Sequence, residues 1–150
     1  MTELYELYQQ VILDHNKKPR NFHRMETASA KSEGFNPLCG DRLIVYVQVE
    51  GDQIKDISFE GSGCAISKAS ASLMTESVKG KNKAEIEALF KRVHQMLTAP
   101  PDASIDIEGL GKLAAFSGVR EFPVRVKCAT LAWHTLNSAL KNKQEPITTE

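Results

Sequence analysis

Two cysteines lie in glycine-containing turns, where a thiol is readily exposed and ionised. Cys39 stands in the sequence PLCGD at residues 37–41, whose proline and glycine favour a turn and a positive φ angle at Gly40. Cys39 and Asp41 flank this flexible residue, so that both donors can converge on one ion. Cys64 follows the glycine loop 61–63 and begins a predicted helix. Unpaired backbone N–H groups and the helix dipole favour a thiolate there.

The third cysteine, Cys128, lies near the start of the last predicted helix, after Arg125 and Lys127. Cationic neighbours also favour a thiolate. A structural zinc site usually has four ligands drawn from Cys, His and carboxylate, and three thiolates with Asp41 would complete such a set. Four anionic ligands around Zn²⁺ leave a net charge of −2, which Arg125 or Lys127 would offset. These two residues are therefore candidates for tuning charge or contacting a partner.

The residues alone leave alternatives open. The cysteines are separated by gaps of 25 (39 to 64) and 64 (64 to 128) positions, which match no paired zinc-finger spacing. Each cysteine could instead be a small buried hydrophobic residue. A histidine could replace Asp41 as the fourth ligand, although none is tied to a cysteine by spacing. The histidines are His15, His23, His94 and His134.

Composition predicts one ordinary domain over residues 1–150. The chain is 41% hydrophobic, and its 19 basic and 19 acidic residues give a formal net charge of zero. Balanced charge gives no reason to expect a nucleic acid or a membrane surface as partner, and no apolar run approaches the ~18 residues of a membrane span. The acidic, amphipathic N-terminus lacks the features of a secretory signal. We therefore expect a cytoplasmic protein, with cysteines that are reduced or metal-bound.

Local patterns in the first half predict a helix and a hairpin. Apolar residues from Leu4 to Ile12 recur at helical spacing, and the helix should end between Asn16 and Pro19. Residues 20–35 read as irregular, with room for a short strand. The β-branched run 43–49, a turn at 51–52 and the segment 54–59 predict an antiparallel hairpin.

The second half reads as helical. One helix should start after Gly63 and end near Gly80. Asn82 and Glu85 resemble a capping box for a second helix, which Pro100 and the following proline should stop. Residues 107–116 predict a short helix, and a last one should run from near Pro123 to about residue 140. The predicted class is α+β, with about three antiparallel strands and about five helices.

Taken together, these motifs resemble the SufU branch of the IscU-like family. The similarity extends from about Leu4 to Leu140. Lys127 stands where IscU-type scaffolds typically carry a histidine, and much of 95–120 looks like the insertion of SufU-type proteins. The matching segments are 7–15 with 19–21, 36–41 (NPLCGD), 59–67 (FEGSGCAIS) and 125–133 (RVKCATLAW).

The resemblance implies an IscU-like α+β fold and a zinc ion bound by Cys39, Asp41, Cys64 and Cys128. It implies a sulfurtransferase that accepts persulfide sulfur on Cys39 from a SufS-type cysteine desulfurase. The sulfur would then pass to iron–sulfur assembly proteins or another acceptor. Among the ligands, Asp41 is expected to be the labile one, since it is the hard oxygen donor among soft sulfurs.

Three rival functions remain. The same three cysteines could hold a nascent iron–sulfur cluster, as in an assembly scaffold. The chain could be a non-enzymatic binding module stabilised by zinc. It could also be a thiol hydrolase that uses Cys39 with His15 or His134, although no feature of the sequence positions either imidazole.

Overall fold

The computed structural model describes residues 2–141 and 146–148, and for residues 2, 3 and 5 it describes the backbone alone. The described segments form the predicted α+β architecture. The helices are α1 (Thr2–Lys17), α2 (Ala65–Val78), α3 (Lys83–Thr98), a 3-10 helix (Gly111–Glu121) and α4 (Pro123–Leu140). The strands are β1 (Ala30–Asn36), β2 (Asp41–Glu50), β3 (Gln53–Ser62) and β4 (Ile147–Thr148).

The described strands form one sheet in the order β3-β2-β1-β4. Strands β1, β2 and β3 pair antiparallel, as predicted for the hairpin, and Val45 pairs with Ser32 on one side and Phe59 on the other. The two-residue strand β4 adds a parallel edge to β1 through Gly34 and Phe35. The predicted sheet of about three antiparallel strands is therefore extended by a short fourth strand.

Strand β1 is the short strand for which the prediction left room in the otherwise irregular segment 20–35, and it continues to Asn36. Its inward positions are Ser32, Gly34 and Asn36, all buried, so the usual alternation of apolar and polar residues is missing. Helix α4 packs very closely here, because a Cβ atom on Gly34 would lie 2.1 Å from Thr135 Oγ1. Small and polar residues on the inner face thus permit the contact and remove the sequence signal of a strand.

The helices start and stop largely where the sequence predicts. Both hydrogen bonds of the capping box between Asn82 and Glu85 are present at the start of α3. The helix predicted over residues 107–116 is displaced, because it begins at Gly111 and continues to Glu121 with 3-10 geometry. Positive φ angles at Gly109 and Gly111 keep the preceding residues out of the helix.

The core lies between the inner face of the sheet and the helices. It includes Leu43, Val45 and Val47 of β2, Ile57 and Phe59 of β3, Leu73 and Met74 of α2, and Leu131, Trp133 and Leu136 of α4. Within residues 2–141 and 146–148, no helix is both long and apolar enough to cross a membrane. The prediction of a single domain over 1–150 includes residues outside those described and stays a prediction.

His15 of α1 is buried against α2. Its side chain is 1% exposed, and its Nδ1 lies 2.7 Å from Ser72 Oγ, which also accepts a bond from the backbone N–H of Arg20. Burial lowers the pKa of His15 below its ordinary value, and the charge of Arg20 lowers it further, against the opposing effect of Glu76. The imidazole is therefore buried in its neutral form.

This burial predicts a loss of stability on acidification. The unfolded chain binds a proton on His15 near pH ~6.5, whereas the folded chain resists it, so stability falls as the pH drops through that value. We expect the melting temperature to fall between about pH 7.5 and 5.5, and His15→Gln to flatten this dependence. His23→Gln, at an exposed histidine, is the control. Equal slopes for wild type and His15→Gln would contradict the assignment.

Candidate metal centre

Cys39 is carried by the connection between β1 and β2. The two strands end at the cross-strand pair of Asn36 and Asp41, which leaves a four-residue connection, 37–40. The Cys39 N–H donates to the carbonyl of Asn36 at 3.2 Å, and Gly40 has a φ of +71°. The Cys39 side chain is half-buried, and the neighbouring Leu38 is 62% exposed. This connection therefore presents the thiol at the surface.

Cys64 is the N-cap residue of α2. Its sulfur accepts a hydrogen bond from the Ser67 N–H at 3.4 Å, and its own N–H donates to Asp41 Oδ1 at 2.8 Å. The preceding residue must be small, because a Cβ atom on Gly63 would lie 2.5 Å from the same carboxylate oxygen. The glycine loop thus brings the helix start directly against Asp41.

Cys128 lies on the second turn of α4 and is fully buried. Its sulfur lies 3.1 Å from Cys39 Sγ and 3.7 Å from the carbonyl of Val124. Burial raises the pKa of the Cys128 thiol, and hydrogen bonding to Cys39 and Cys64 raises it further. Without a cation this thiol would stay protonated, which makes a bound metal the natural source of a thiolate here.

Three of the four predicted ligands, Cys39, Asp41 and Cys128, come together in the fold, and Cys64 lies beside them. The ligand atoms of Cys39, Asp41 and Cys128 all lie within 4.8 Å of one another, and Cys64 Sγ lies 4.0 Å from Asp41 Oδ2. Ligands about 2.3 Å from a tetrahedral zinc ion are separated by roughly 3.8 Å. The donor types and spacing of Cys39, Asp41 and Cys128 therefore suit a shared metal ion, and Cys64 is the neighbouring candidate for a fourth ligand.

Asn36 is a residue of the site that sequence reasoning assigned no role. Its side chain is fully buried, and its Nδ2 donates to Asp41 Oδ2 at 3.1 Å and to Cys128 Sγ at 3.3 Å. In the sequence it appears only as the first letter of NPLCGD. Its proximity to Cys128, 92 positions away, arises from the packing of β1 against α4.

Comparison with known proteins assigns the family. Residues 7–129 match the model of the NifU-like N-terminal domain. The chain belongs to the NifU-like N-terminal domain family. The matched segment includes Cys39, Asp41, Cys64 and Cys128.

Relatives of this NifU-like domain cover almost its whole length. The zinc-dependent sulfurtransferase SufU of Bacillus subtilis strain 168 is 42% identical over 139 residues, 92% of each chain. The iron–sulfur cluster assembly scaffold protein IscU of Streptococcus pyogenes serotype M1 is 38% identical over 141 residues, 94% of this chain and 87% of the relative. A crystal structure of a proposed SUF-system scaffold from Fervidobacterium islandicum AW-1 superposes with a TM-score of 0.82 at 38% identity, covering 91% and 98%. These findings confirm the predicted resemblance and fold.

In this NifU-like domain the contacts argue against Asp41 as the labile ligand. Its side chain is 2% exposed, and each carboxylate oxygen accepts a hydrogen bond, one from the Cys64 N–H and one from Asn36. The Cys39 side chain is held by weaker contacts, which are those of its sulfur with Cys128 Sγ and, at 3.8 Å, with Nη1 of Arg125. A soft sulfur ligand favours keeping Cys39 bound to the metal. The hydrogen bonds to Asp41, however, hold that side chain in place more firmly than Cys39 is held.

The two basic candidates differ in position. The exposed Arg125 directs its guanidinium at Cys39, and its pKa is raised by hydrogen bonding to Cys128 and by the charges of the three thiols. Lys127 is half-buried, and its side chain makes no hydrogen bond or ion pair to a described residue. The geometry therefore favours Arg125 as the residue that offsets negative charge at the site.

Replacing Arg125 with glutamine should slow the alkylation of Cys39 in the metal-free protein severalfold. Alkylation proceeds through the anionic sulfur, and the guanidinium places a positive charge 3.8 Å from the reacting atom. The rate can be measured with iodoacetamide near neutral pH, at low and high salt. Lys127→Gln is the matched control, with an expected rate equal to wild type. A larger effect at Lys127 than at Arg125 would reverse the assignment.

The histidines lie elsewhere in the fold. His15 is buried against Ser72, and the rings of His94 and His134 pack against each other with centroids 6.3 Å apart. In the described part of the chain, no histidine joins the cluster of ligand atoms around Cys39. The contacts of His15 and His134 likewise give no support to a thiol hydrolase that pairs either imidazole with Cys39.

Proposed function

We propose that this chain is a zinc-dependent sulfurtransferase that accepts persulfide sulfur on Cys39. The donor is a SufS-type cysteine desulfurase, and the sulfur passes on toward iron–sulfur cluster assembly. The observation that carries this proposal is the difference in burial and hydrogen bonding among the clustered donors Cys39, Asp41 and Cys128. Asp41 and Cys128 are buried and hydrogen-bonded, whereas Cys39 is half-buried on an exposed connection. The name of the B. subtilis relative supports the same reaction.

Cys39, Asp41, Cys64 and Cys128 would hold the zinc ion. When bound, zinc would keep the thiols deprotonated at neutral pH. The chain supplies the remaining requirements. Asp41 receives its two hydrogen bonds at the base of the site, and Arg125 offsets part of the excess negative charge.

The transfer step is an exchange at sulfur. The Cys39 thiolate attacks the terminal sulfur of the donor's persulfide, a new S–S bond forms on Cys39, and the donor's S–S bond breaks. The donor cysteine leaves with the electron pair as a thiolate, so no net oxidation or reduction occurs. Three free thiols are compatible with this chemistry in a reducing compartment, for which we propose the cytoplasm.

An iron–sulfur cluster scaffold is the second candidate, because the S. pyogenes relative carries that name and the same three thiolates could bind iron. Anaerobic purification followed by metal analysis and visible absorption separates the two. Stoichiometric zinc and a colourless solution support the sulfurtransferase. Iron with acid-labile sulfide and a brown solution would favour the scaffold.

The direct test is sulfur transfer itself. The zinc-loaded protein is incubated with a SufS-type cysteine desulfurase and L-cysteine, and its peptides are examined by mass spectrometry without reductant. We expect the mass of one extra sulfur atom on the Cys39 peptide and faster alanine release by the desulfurase. Unmodified Cys39 with unchanged desulfurase turnover would refute the proposed function and leave a structural zinc module.

A further inference from the structure

We propose that Asn36 is a positioning residue that fixes Asp41 and Cys128 as one unit, so that Cys39 can leave the metal without disturbing them. The proposal rests on the function proposed above and adds a residue that is not itself a ligand. Asn36 lies at the end of β1, Asp41 begins β2, and Cys128 lies on α4. One side-chain amide thus ties together donors from two other elements.

The orientation of the amide is determined by its surroundings. Nδ2 lies 3.1 Å from a carboxylate oxygen of Asp41 and 3.3 Å from the sulfur of Cys128. Carboxylate oxygen and sulfur both accept hydrogen bonds, so the flipped amide would place its oxygen against two acceptor atoms. The N–H groups of the Asn36 side chain are therefore both committed to the site.

The oxygen of the Asn36 amide has an unfavourable environment. Oδ1 of Asn36 is buried without a hydrogen-bond partner among the described residues. An unpaired buried acceptor is destabilising, so packing alone would be better served by an apolar side chain. The side chain's two hydrogen bonds within the described structure are those to Asp41 and Cys128, which places its contribution at the metal site.

The remaining contacts extend this unit to a third donor. Asp41 accepts from Asn36 on one oxygen and from the Cys64 N–H on the other. Asp41, Cys64 and Cys128 are thus linked through the carboxylate and the amide. Cys39 is attached through its own backbone turn and through two contacts of its sulfur, at 3.1 Å with Cys128 Sγ and at 3.8 Å with Arg125. Its side chain has no hydrogen bond to the Asn36 amide or the Asp41 carboxylate among the described contacts.

The test compares Asn36→Asp and Asn36→Ala with a matched control. The aspartate has nearly the same shape but offers no N–H donor and adds a charge beside two anions. Ser32→Ala is the control, because it also removes a buried hydrogen bond between β1 and α4, that of Ser32 Oγ with Ser138 Oγ, away from the site. Zinc affinity is measured by competition with a chromophoric chelator. Where a variant is unfolded without metal, the affinity is taken from a zinc titration followed by circular dichroism.

We expect a loss of zinc affinity of about 10- to 100-fold for Asn36→Ala, larger for Asn36→Asp, and none for Ser32→Ala. The Co²⁺-substituted Asn36 variants should show shifted sulfur-to-metal charge-transfer bands. In zinc-loaded wild type iodoacetamide should modify Cys39 selectively, whereas in the Asn36 variants Cys128 should react as well.

Three outcomes distinguish failure of the positioning role from failure of the proposed function. Wild-type zinc affinity, an unchanged Co²⁺ spectrum and selective modification of Cys39 in both Asn36 variants would overturn the positioning role. The same holds if Ser32→Ala reproduces every effect. A wild-type protein that binds zinc but accepts no sulfur would instead refute the proposed function, whatever the behaviour of Asn36.

Discussion

Replacement of Cys39 with serine should reduce sulfur acceptance to the level measured without an acceptor protein. A serine hydroxyl is not ionised near neutral pH, so the variant lacks the thiolate that attacks the persulfide. The remaining sulfurs cannot substitute readily, because Cys128 is fully buried and Cys64 caps α2 while contacting Asp41. The measurement is peptide mass spectrometry after incubation with the desulfurase and L-cysteine.

The control for this experiment is Leu38→Ala. It alters the same connection at an exposed side chain and leaves the thiol in place, so the variant should still accept sulfur on Cys39. Zinc content must be measured for each variant, since Cys39→Ser also removes a proposed ligand. Transfer at the wild-type rate to Cys64 or Cys128 in Cys39→Ser would show that the acceptor has been assigned to the wrong residue.

Replacement of Asp41 with alanine should lower zinc affinity by more than the ~10- to 100-fold typical of residues that support a ligand. The substitution removes one proposed ligand and leaves one N–H of the buried Asn36 amide and the partly buried N–H of Cys64 without their acceptor, at up to about 1–3 kcal/mol each. The melting temperature should therefore fall even without metal. In the wild type, a chelator should lower the melting temperature, because zinc at ~1,000 times its dissociation constant stabilises the folded state by about 4 kcal/mol.

Asp56→Ala provides the comparison for Asp41→Ala. Asp56 forms a partly exposed ion pair with Lys79 at 3.2 Å, and such pairs contribute little to stability. Both zinc affinity and the effect of the chelator should match wild type in this variant. If Asp41→Ala retained wild-type zinc affinity, the fourth ligand would have to be another group. No melting shift on chelation would mean that the metal is peripheral to the fold.

An element of this fold could be predicted from the sequence when the residues that indicate it are neighbours along the chain. The capping box of Asn82 and Glu85 and the glycine loop before Cys64 involve neighbours along the chain, and the structure bears out the helices they introduce. Strand β1 gave no such signal, since its inner face carries Ser32, Gly34 and Asn36. Strand β4 consists of two residues, which is too short for any periodic pattern.

In the site, too, contacts between residues close in sequence could be predicted and contacts between distant residues could not. Cys39 and Asp41 could be paired from the sequence because one residue separates them. Spacing alone could not bring Cys64 and Cys128 to the same place, and the motifs shared with the family supplied that expectation. The role of Asn36 was missed, because its contact with Cys128 spans 92 positions and a buried asparagine has no pattern of its own.

The connection 37–40 is anchored at both ends by the cross-strand pair of Asn36 and Asp41. Its exposed residues Pro37 and Leu38 can therefore vary in sequence without altering the sheet register, whereas Cys39 carries the proposed acceptor thiol and Gly40 has a positive φ angle. The thiol thus lies next to a variable surface on a connection whose two ends are fixed. Exchanging this segment with those of relatives would test whether partner choice resides in these four positions and whether sulfur delivery can be redirected without redesigning the scaffold.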